Sequence, residues 1–187
     1  MPPTFDTARA AACLRQGGVI AYATEAVWGL GCDPRDHAAV LRLLAIKQRD
    51  VGKGVILIAA SEAQLAGFAD MDALTSAQRA HVRDSWPGPN TWIVPASPAA
   101  PRWITGDHDG IAVRVSAHAG VIDLCQAFGG ALVSTSANLS GQPAVHTRAA
   151  LDLHLLARID GVLDGETGGL PQPSTIRDAR SGAVLRG

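Results

Sequence analysis

Short apolar runs that alternate with helical stretches constrain the fold of this chain most strongly. Residues 55–59 form a continuous apolar run, which is typical of a strand buried on both faces. The runs at 19–22, 91–94, 111–115 and 131–133 are also predicted to be strands. Because helical segments separate these runs, the pattern favours one α/β domain in which helices pack on a sheet.

Helices are predicted where a capping residue precedes apolar positions at helical spacing. Asp36 is expected to cap a helix that carries Val40, Leu43, Leu44 and Lys47 on one side. Further helices are predicted over residues 7–16, from Ser61 with Gln64, from Thr75 with Gln78, over 118–128 and from Thr147 to Leu156.

The remaining segments are predicted to be loops and a closing hairpin. Residues 24–31 contain two glycines and mixed polarity, which indicates a loop. Residues 174–178 and 183–186 are predicted to pair as antiparallel strands, so the sheet should be mixed rather than purely parallel.

Composition limits the classes of protein to which the chain can belong. At 187 residues it suits one domain with a core that needs no crosslinks, and its net charge of −1 disfavours permanent binding to RNA. Cys13, Cys32 and Cys125 lack disulfide or zinc spacing, which predicts free thiols. With no apolar run of bilayer length and no leader, we expect a soluble cytoplasmic protein that makes no membrane contact.

The segment 131–141 carries the clearest chemical signal, because an apolar strand leads directly into a cluster of hydroxyl and carboxamide groups. The polar residues are Ser134, Thr135, Ser136, Asn138 and Ser140. Turn formation and capping of a following helix would need only about two of them. The surplus predicts a pocket that binds a polyanion, with Mg²⁺ held by hydroxyl, carboxamide and phosphate oxygens.

The only two lysines of the chain, Lys47 and Lys53, lie on either side of Arg49. These cations either form a solvated edge at a helix C-terminus or act as a phosphate clamp, with Gly52 and Gly54 allowing close approach of the backbone. The segment does not match the Walker A pattern.

Several other residues have two interpretations. Arg114 lies on an otherwise neutral strand, where it either pairs with an aspartate or holds a small carboxylate. Tyr22, Thr24 and Glu25, at a strand end, form either a site or an ordinary turn. Trp86 and Trp92 fit packing better than base stacking. No histidine has the spacing of a catalytic triad or metal site, so a nucleophile-and-base mechanism has no candidate.

Taken together, these motifs resemble the YrdC-like family, and within it the short bacterial threonylcarbamoyl-AMP synthases. The resemblance extends from about Ala10 to Gly187 and rests on Tyr22, Thr24, Glu25, Gly29 and Leu30; on Lys47, Arg49 and Lys53; on Pro87, Gly88, Pro89 and Thr91; on Val113, Arg114 and Val115; on Ser134, Thr135, Ser136, Ala137, Asn138, Ser140 and Gly141; and on Pro173, Ser174, Thr175 and Ile176. It implies a single α/β domain over residues 1–187, with a twisted, open mixed sheet and flanking helices around a concave cavity, and without a second C-terminal domain.

The resemblance also implies an activity. L-threonine, bicarbonate or CO₂ and ATP would give L-threonylcarbamoyl-AMP and pyrophosphate with Mg²⁺, for use by partner proteins that transfer the threonylcarbamoyl group to tRNA. Lys47 and Arg49 are implied as catalytic residues. The implied phosphate-binding residues are Lys47, Arg49, Thr91, Ser134, Thr135, Ser136, Asn138 and Arg186, with Ser136 and Asn138 near the metal. The implied threonine-binding residues are Thr24, Lys53, Arg114 and Ser174.

The chain departs from the family pattern at Ala23, where a proline is usual, and this loosens the approach to Thr24. Two other functional classes are alternatives to this enzymatic activity. One is a non-catalytic RNA-binding module in tRNA or ribosome maturation, for which a weak tRNA contact would suffice; the other is an ATP-binding regulator.

Overall fold

The computed structural model describes residues 1–186, and within this range ten strands form one mixed sheet. The strands are β1 (Thr4–Phe5), β2 (Ile20–Ala23), β3 (Trp28–Gly31), β4 (Ile56–Ala59), β5 (Asn90–Pro95), β6 (Gly110–Val115), β7 (Leu132–Ser136), β8 (Gly161–Leu163), β9 (Thr175–Asp178) and β10 (Val184–Arg186). The helices are α1 (Thr7–Arg15), α2 (His37–Lys47), α3 (Ser76–Asp84), α4 (Arg102–Thr105), α5 (Ala119–Phe128) and α6 (Leu153–Leu156). The strand order is β1-β8-β2-β3-β7-β4-β6-β5-β9-β10.

Strand β7 joins the two halves of the sheet. Its first residues pair antiparallel with β4, where Val133 lies opposite Leu57. Its last two residues pair antiparallel with β3, where Ser136 lies opposite Gly29. The hydroxyl-rich end of β7 therefore lies at the boundary between the two halves of the sheet.

Two apolar cores lie on the two faces of the sheet. Leu57 and Ala59 belong to the larger core, together with buried residues of α2, whereas Ile58 belongs to a smaller core with residues of α1 and α5. Because successive side chains of a strand point to opposite faces, this division confirms that β4 is buried on both sides.

The predicted helix starts are confirmed at Asp36 and Thr75. The Asp36 carboxylate accepts a hydrogen bond from the Ala39 amide at 3.1 Å. Thr75 and Gln78 make both hydrogen bonds of a capping box. The predicted helices over residues 7–16 and 118–128 and the closing hairpin of β9 and β10 are also present.

Three local predictions were wrong. Residues 24–31 are not all loop, because β3 pairs along its length with β2 and is also bonded to β7. After Ser61 the chain forms only a short 3-10 turn, since the Gln64 side chain accepts from the Ala60 amide instead. The segment after Thr147 divides into a 3-10 turn and α6, which Asp152 caps.

Trp86 and Trp92 have packing roles, as predicted. The Trp92 indole is buried and donates to the Ser85 hydroxyl at 2.8 Å. The Trp86 indole donates to the Asn90 carbonyl oxygen at 2.8 Å.

The three cysteines are free thiols, as the sequence predicts. Within residues 1–186, no helix combines the length and the apolar character that crossing a bilayer requires.

Candidate active site

A cavity of about 790 Å³ lies on the face of the sheet that carries the smaller core. One register row across five strands contributes to its wall, and the residues of this row are Ser134, Ile56, Ala112, Ile93 and Asp178. Because Ile58, two residues beyond Ile56, packs under α5, the helices cover this face beside the cavity.

Lys47 is the last residue of α2, and it is 3% exposed. Its ammonium group donates to the carbonyl oxygens of Ser136 and Asn138, the latter at 2.7 Å. The Ser140 amide in turn donates to the Lys47 carbonyl oxygen at 3.1 Å. Burial, reinforced by the nearby Arg49 cation, lowers the pKa of Lys47 to about 8, so the group stays mostly protonated at neutral pH.

Arg49 turns back toward the cavity because Gln48 ends α2 in the left-handed conformation, with φ of 52°. Its guanidinium donates to the Gly54 carbonyl oxygen from Nη2 at 2.9 Å and from Nε at 3.3 Å. Burial lowers the pKa of Arg49. Lys53 is exposed and also lines the cavity.

Gly54 lines the cavity and also has a structural reason to be glycine. Its φ is 62°, and a Cβ atom there would lie 2.7 Å from the carbonyl oxygen of Thr105 at the end of α4. A side chain at this position would therefore meet main-chain atoms under the turn that carries Lys53, whatever binds in the cavity.

The hydroxyl-rich segment lines the same cavity with Ser134, Thr135, Ser136, Asn138 and Ser140. The helix that a purely capping role would require after this segment is absent from the described chain, which continues in turns. The Asn138 amide nitrogen donates to the carbonyl oxygens of Leu139 and Gln142. Its Oδ1 atom is buried and has no hydrogen-bond partner among residues 1–186.

Arg114 lines the cavity and also forms an ion pair, and its role in holding a small carboxylate stays a prediction. Its partner is Glu25 rather than an aspartate, with Nη1 at 3.2 Å from Oε2. The neighbouring Thr24 also lines the cavity, and its hydroxyl donates to the Val27 carbonyl oxygen at 2.8 Å. Ala23 is the last residue of β2, paired with Trp28, so the β2–β3 hairpin holds the backbone of Thr24 without proline.

Ser174 is buried at the cavity wall, and its carbonyl oxygen accepts from Arg186 Nη2 at 3.2 Å. Burial, together with the guanidinium groups of Arg114 and Arg49, lowers the pKa of Arg186. Thr91 differs from the other predicted site residues, because it is fully buried and is not part of the cavity lining. Its hydroxyl lies 2.8 Å from that of Ser174, so its contact with the cavity runs through Ser174.

The structure thus brings most of the predicted site residues to one cavity. The residues that line it are Thr24, Lys47, Arg49, Lys53, Arg114, Ser134, Thr135, Ser136, Asn138, Ser174 and Arg186. Sequence reasoning missed His108, Asp109, Gln142 and Gln172, which line the cavity from loops between strands. They carry no spacing signal, because only tertiary packing brings these loops to the cavity.

A family model matches residues 12–187 of the chain, almost its whole length. Its description reads Sua5/YciO/YrdC, telomere recombination. The chain belongs to the Sua5/YciO/YrdC family.

Relatives within the family carry a functional name. The chain is 64% identical over 186 residues to a threonylcarbamoyl-AMP synthase of Xanthomonas euvesicatoria pv. vesicatoria, with 100% of each chain covered. It is 63% identical to the protein of the same name in Xanthomonas axonopodis pv. citri, again with full coverage of both.

Solved structures share the fold. A P. abyssi Sua5 structure with two substitutions matches with a TM-score of 0.90 at 28% identity, and the match covers 98% of this chain and 59% of that one. P. abyssi Sua5 complexed with L-threonine matches at 0.84 with 29% identity, over 95% of this chain and 54% of that one. E. coli YciO matches at 0.85 over 100% and 95% of the two chains; at 23% identity it supports the fold alone.

Proposed function

We propose that this protein is a threonylcarbamoyl-AMP synthase, which forms L-threonylcarbamoyl-AMP and pyrophosphate from L-threonine, bicarbonate or CO₂ and ATP. One observation carries the proposal: segments that are distant in sequence meet in a single cavity of about 790 Å³. The volume falls within the range of small-molecule sites. The names of the full-length relatives support the same activity.

Lys47 and Arg49 are proposed to hold the triphosphate of ATP. Both cations donate to neutral carbonyl oxygens, so neither is neutralised by a carboxylate. Lysine offers a point charge and arginine a planar fork of donors, and this combination suits phosphate oxygens. Ser134, Thr135, Ser136 and Asn138 would add neutral hydrogen-bonding groups, and Arg186 a further cation at the rim.

Arg114, Thr24, Ser174 and Lys53 are proposed to position threonine or its carbamate. Arg114 is 6% exposed and lines the cavity, where its guanidinium can donate two hydrogen bonds to a carboxylate. P. abyssi Sua5 has been obtained with L-threonine bound, which supports an amino-acid site in this fold.

The reaction needs positioning more than acid–base chemistry. The threonine amine adds to CO₂ and loses a proton to give a carbamate, and a carbamate oxygen attacks the α-phosphorus of ATP. The bond from that phosphorus to the bridging oxygen breaks, and pyrophosphate leaves with the electron pair. Orientation of two bound reactants can supply about 7 to 11 kcal/mol of such a barrier, and the cations Lys47 and Arg49 stabilise the charge of the leaving group.

Magnesium fits the donors of this site as a partner of ATP. Within residues 1–186, no cluster of three or more histidine, cysteine or acidic side chains could form a protein-only metal site. The unpaired Oδ1 of Asn138 and the Ser136 hydroxyl are oxygen donors of the kind that Mg²⁺ shares with phosphate and water. When bound, Mg²⁺ would neutralise charge on the phosphates.

The product is proposed to supply proteins that transfer the threonylcarbamoyl group to tRNA. A mixed anhydride of a carbamate with AMP is an activated acyl donor, so a transfer reaction must consume it. This chain would then need no more than weak contact with tRNA.

The test is a pyrophosphate-release assay in which each substrate is omitted in turn. We expect release only when ATP, threonine and bicarbonate are all present. Release without threonine or bicarbonate would reject the proposed reaction. ATP binding without any release would favour the regulator, and binding of structured RNA without ATP turnover would favour the RNA-binding module.

A further inference from the structure

One residue next to the cavity has no role in the proposal above, although it touches a cavity cation. We propose that Glu25 is a positioning residue that fixes Arg114 and partly neutralises it, so that this arginine takes a singly charged carboxylate in preference to phosphate. The inference rests on the proposed function, because it assigns the threonine carboxylate to Arg114. It also gives a reason why threonine binds at Arg114 and the phosphates of ATP bind at Lys47 and Arg49.

The pair is unusual among the ionic contacts of residues 1–186. Of the seven ion pairs there, only Arg114–Glu25 contains a cation of the cavity wall. It is also the most buried pair, with both side chains 8% exposed. Arg114 lines the cavity and Glu25 does not, so the carboxylate lies behind the arginine as seen from a bound ligand.

The Glu25 carboxylate is held from its other side. Oε1 accepts a hydrogen bond from the Ser116 hydroxyl at 2.8 Å and from the Ala117 amide at 3.2 Å. Ser116 is fully buried and directly follows β6, the strand that carries Arg114. The carboxylate is thus anchored to the residues that directly follow the strand of the guanidinium, and the pair can stay in place when a ligand arrives.

The backbone of Glu25 is also fixed. The Leu170 amide donates to its carbonyl oxygen at 3.0 Å, and the Gly168 amide donates to that of Thr24 at 3.0 Å. A Cβ atom at Gly168 would lie 3.2 Å from the Glu25 Cα, so the two segments are closely packed. These contacts leave Glu25 little freedom to turn away from Arg114.

Charge explains the expected selectivity. An anion bound at Arg114 would be attracted by the guanidinium and repelled by the carboxylate behind it. Both effects scale with the charge of the anion, but the fixed carboxylate removes much of the net attraction. Hydrogen-bond geometry then decides, because the planar guanidinium of Arg114 matches the two oxygens of a planar carboxylate. Lys47 and Arg49 keep their full charge for phosphate.

The decisive variant is Glu25→Gln, which keeps the shape and the acceptor oxygen of the side chain and removes its charge. We expect the KM for threonine to rise about tenfold, because an amide holds the guanidinium less firmly than a carboxylate does, and this loss of positioning outweighs the removed repulsion of the threonine carboxylate. The kcat and the KM for ATP should stay within about threefold. We also expect inorganic phosphate to become a competitive inhibitor against threonine, with an inhibition constant at least tenfold lower than in the wild type.

Ser116→Ala is the matched control, because it removes one hydrogen bond to the carboxylate and keeps the negative charge. It should raise the KM for threonine by less than Glu25→Gln does and should not create inhibition by phosphate that competes with threonine. Equal phosphate inhibition in both variants would overturn the charge argument.

Three further results would overturn the proposal. The first is a Glu25→Gln enzyme with unchanged threonine KM and phosphate inhibition, and the second is a parallel loss of threonine binding, ATP binding and melting temperature. The third is measured on the wild type alone, so it holds even if the variant does not fold. Inorganic phosphate should compete with ATP in the wild type, and competition with threonine would contradict the inference. Failure of the proposed function looks different, since wild-type pyrophosphate release would then not depend on threonine and bicarbonate.

Discussion

Two groups of cations line the cavity, and they are held in different ways. Lys47 and Arg49 donate to main-chain carbonyl oxygens, which are dipoles without net charge. Arg114 pairs with the carboxylate of Glu25. A cation held by carbonyl groups keeps its full charge for a ligand, whereas a cation held by a carboxylate has fixed geometry and less net charge. The comparison shows how one cavity can present separate sites for a polyanion and a monoanion.

Removal of a cation from the first group should have the largest effect. Lys47→Met should lower kcat/KM for ATP at least 100-fold, or about 3 kcal/mol, because the charge that faces the phosphates is lost. Pyrophosphate release measures this loss. The change also leaves carbonyl groups of Ser136 and Asn138 without a donor, at a cost of about 1 to 3 kcal/mol in stability, so thermal unfolding should accompany the assay.

Arg42→Met provides the control for Lys47→Met, since Arg42 is on the same helix and pairs with Asp160 at 2.6 Å outside the cavity lining. It should leave pyrophosphate release within about threefold and cost about 0 to 1 kcal/mol in stability, as expected for a partly exposed pair. Near-normal pyrophosphate release by Lys47→Met would show that this lysine does not bind phosphate. The contrast between the two groups of cations would then be lost.

The lowered pKa of Lys47 gives the next largest effect. As pH rises above about 8, the ammonium group loses its proton, so the dissociation constant of ATP should rise up to about tenfold per pH unit. Calorimetric titration with ATP alone avoids interference from the threonine amine. In Lys47→Arg the decline should move to higher pH. Equal pH profiles for wild type and variant would contradict the assignment of the decline to Lys47.

The stability effect of the same group has the opposite sign. Its pKa is about 8 in the folded protein and near 10.5 when exposed, so between these values the unfolded chain binds more protons. The contribution of Lys47 to the free energy of unfolding therefore rises with pH across this window. Deprotonation of Lys47 therefore does not unfold the protein, and weaker ATP binding at alkaline pH would reflect the lost charge of its ammonium group.

The smallest effect is expected at Thr91, which contacts Ser174, one of the residues proposed to bind threonine. Thr91→Val removes the hydroxyl that lies against that of Ser174, and it should raise the KM for threonine about three- to tenfold and cost about 1 kcal/mol in stability. Thr91→Ser should restore both values. ATP binding should not change, because Thr91 is outside the cavity lining; weaker ATP binding would support the phosphate role expected from the sequence.

Much of the fold could be predicted from the sequence because local signals agreed with the tertiary structure. Asp36 and Thr75 cap helices as their side chains suggest, and the apolar run of β4 is buried on both faces. Prediction failed where pairing partners decide the conformation. The glycines of β3 gave no strand signal, and this segment is a strand because it lies between β2 and β7.

The sequence by itself determined which chemical groups are available: two lysines and an arginine in one short segment, and a hydroxyl-rich segment after a strand. Tertiary structure alone decided which groups meet. It placed Lys47 on carbonyl oxygens 89 and 91 residues away, Glu25 behind Arg114, and Thr91 outside the cavity. The physical reason is that residue types and local spacing limit the possible contacts, whereas burial and strand register determine which of those contacts form.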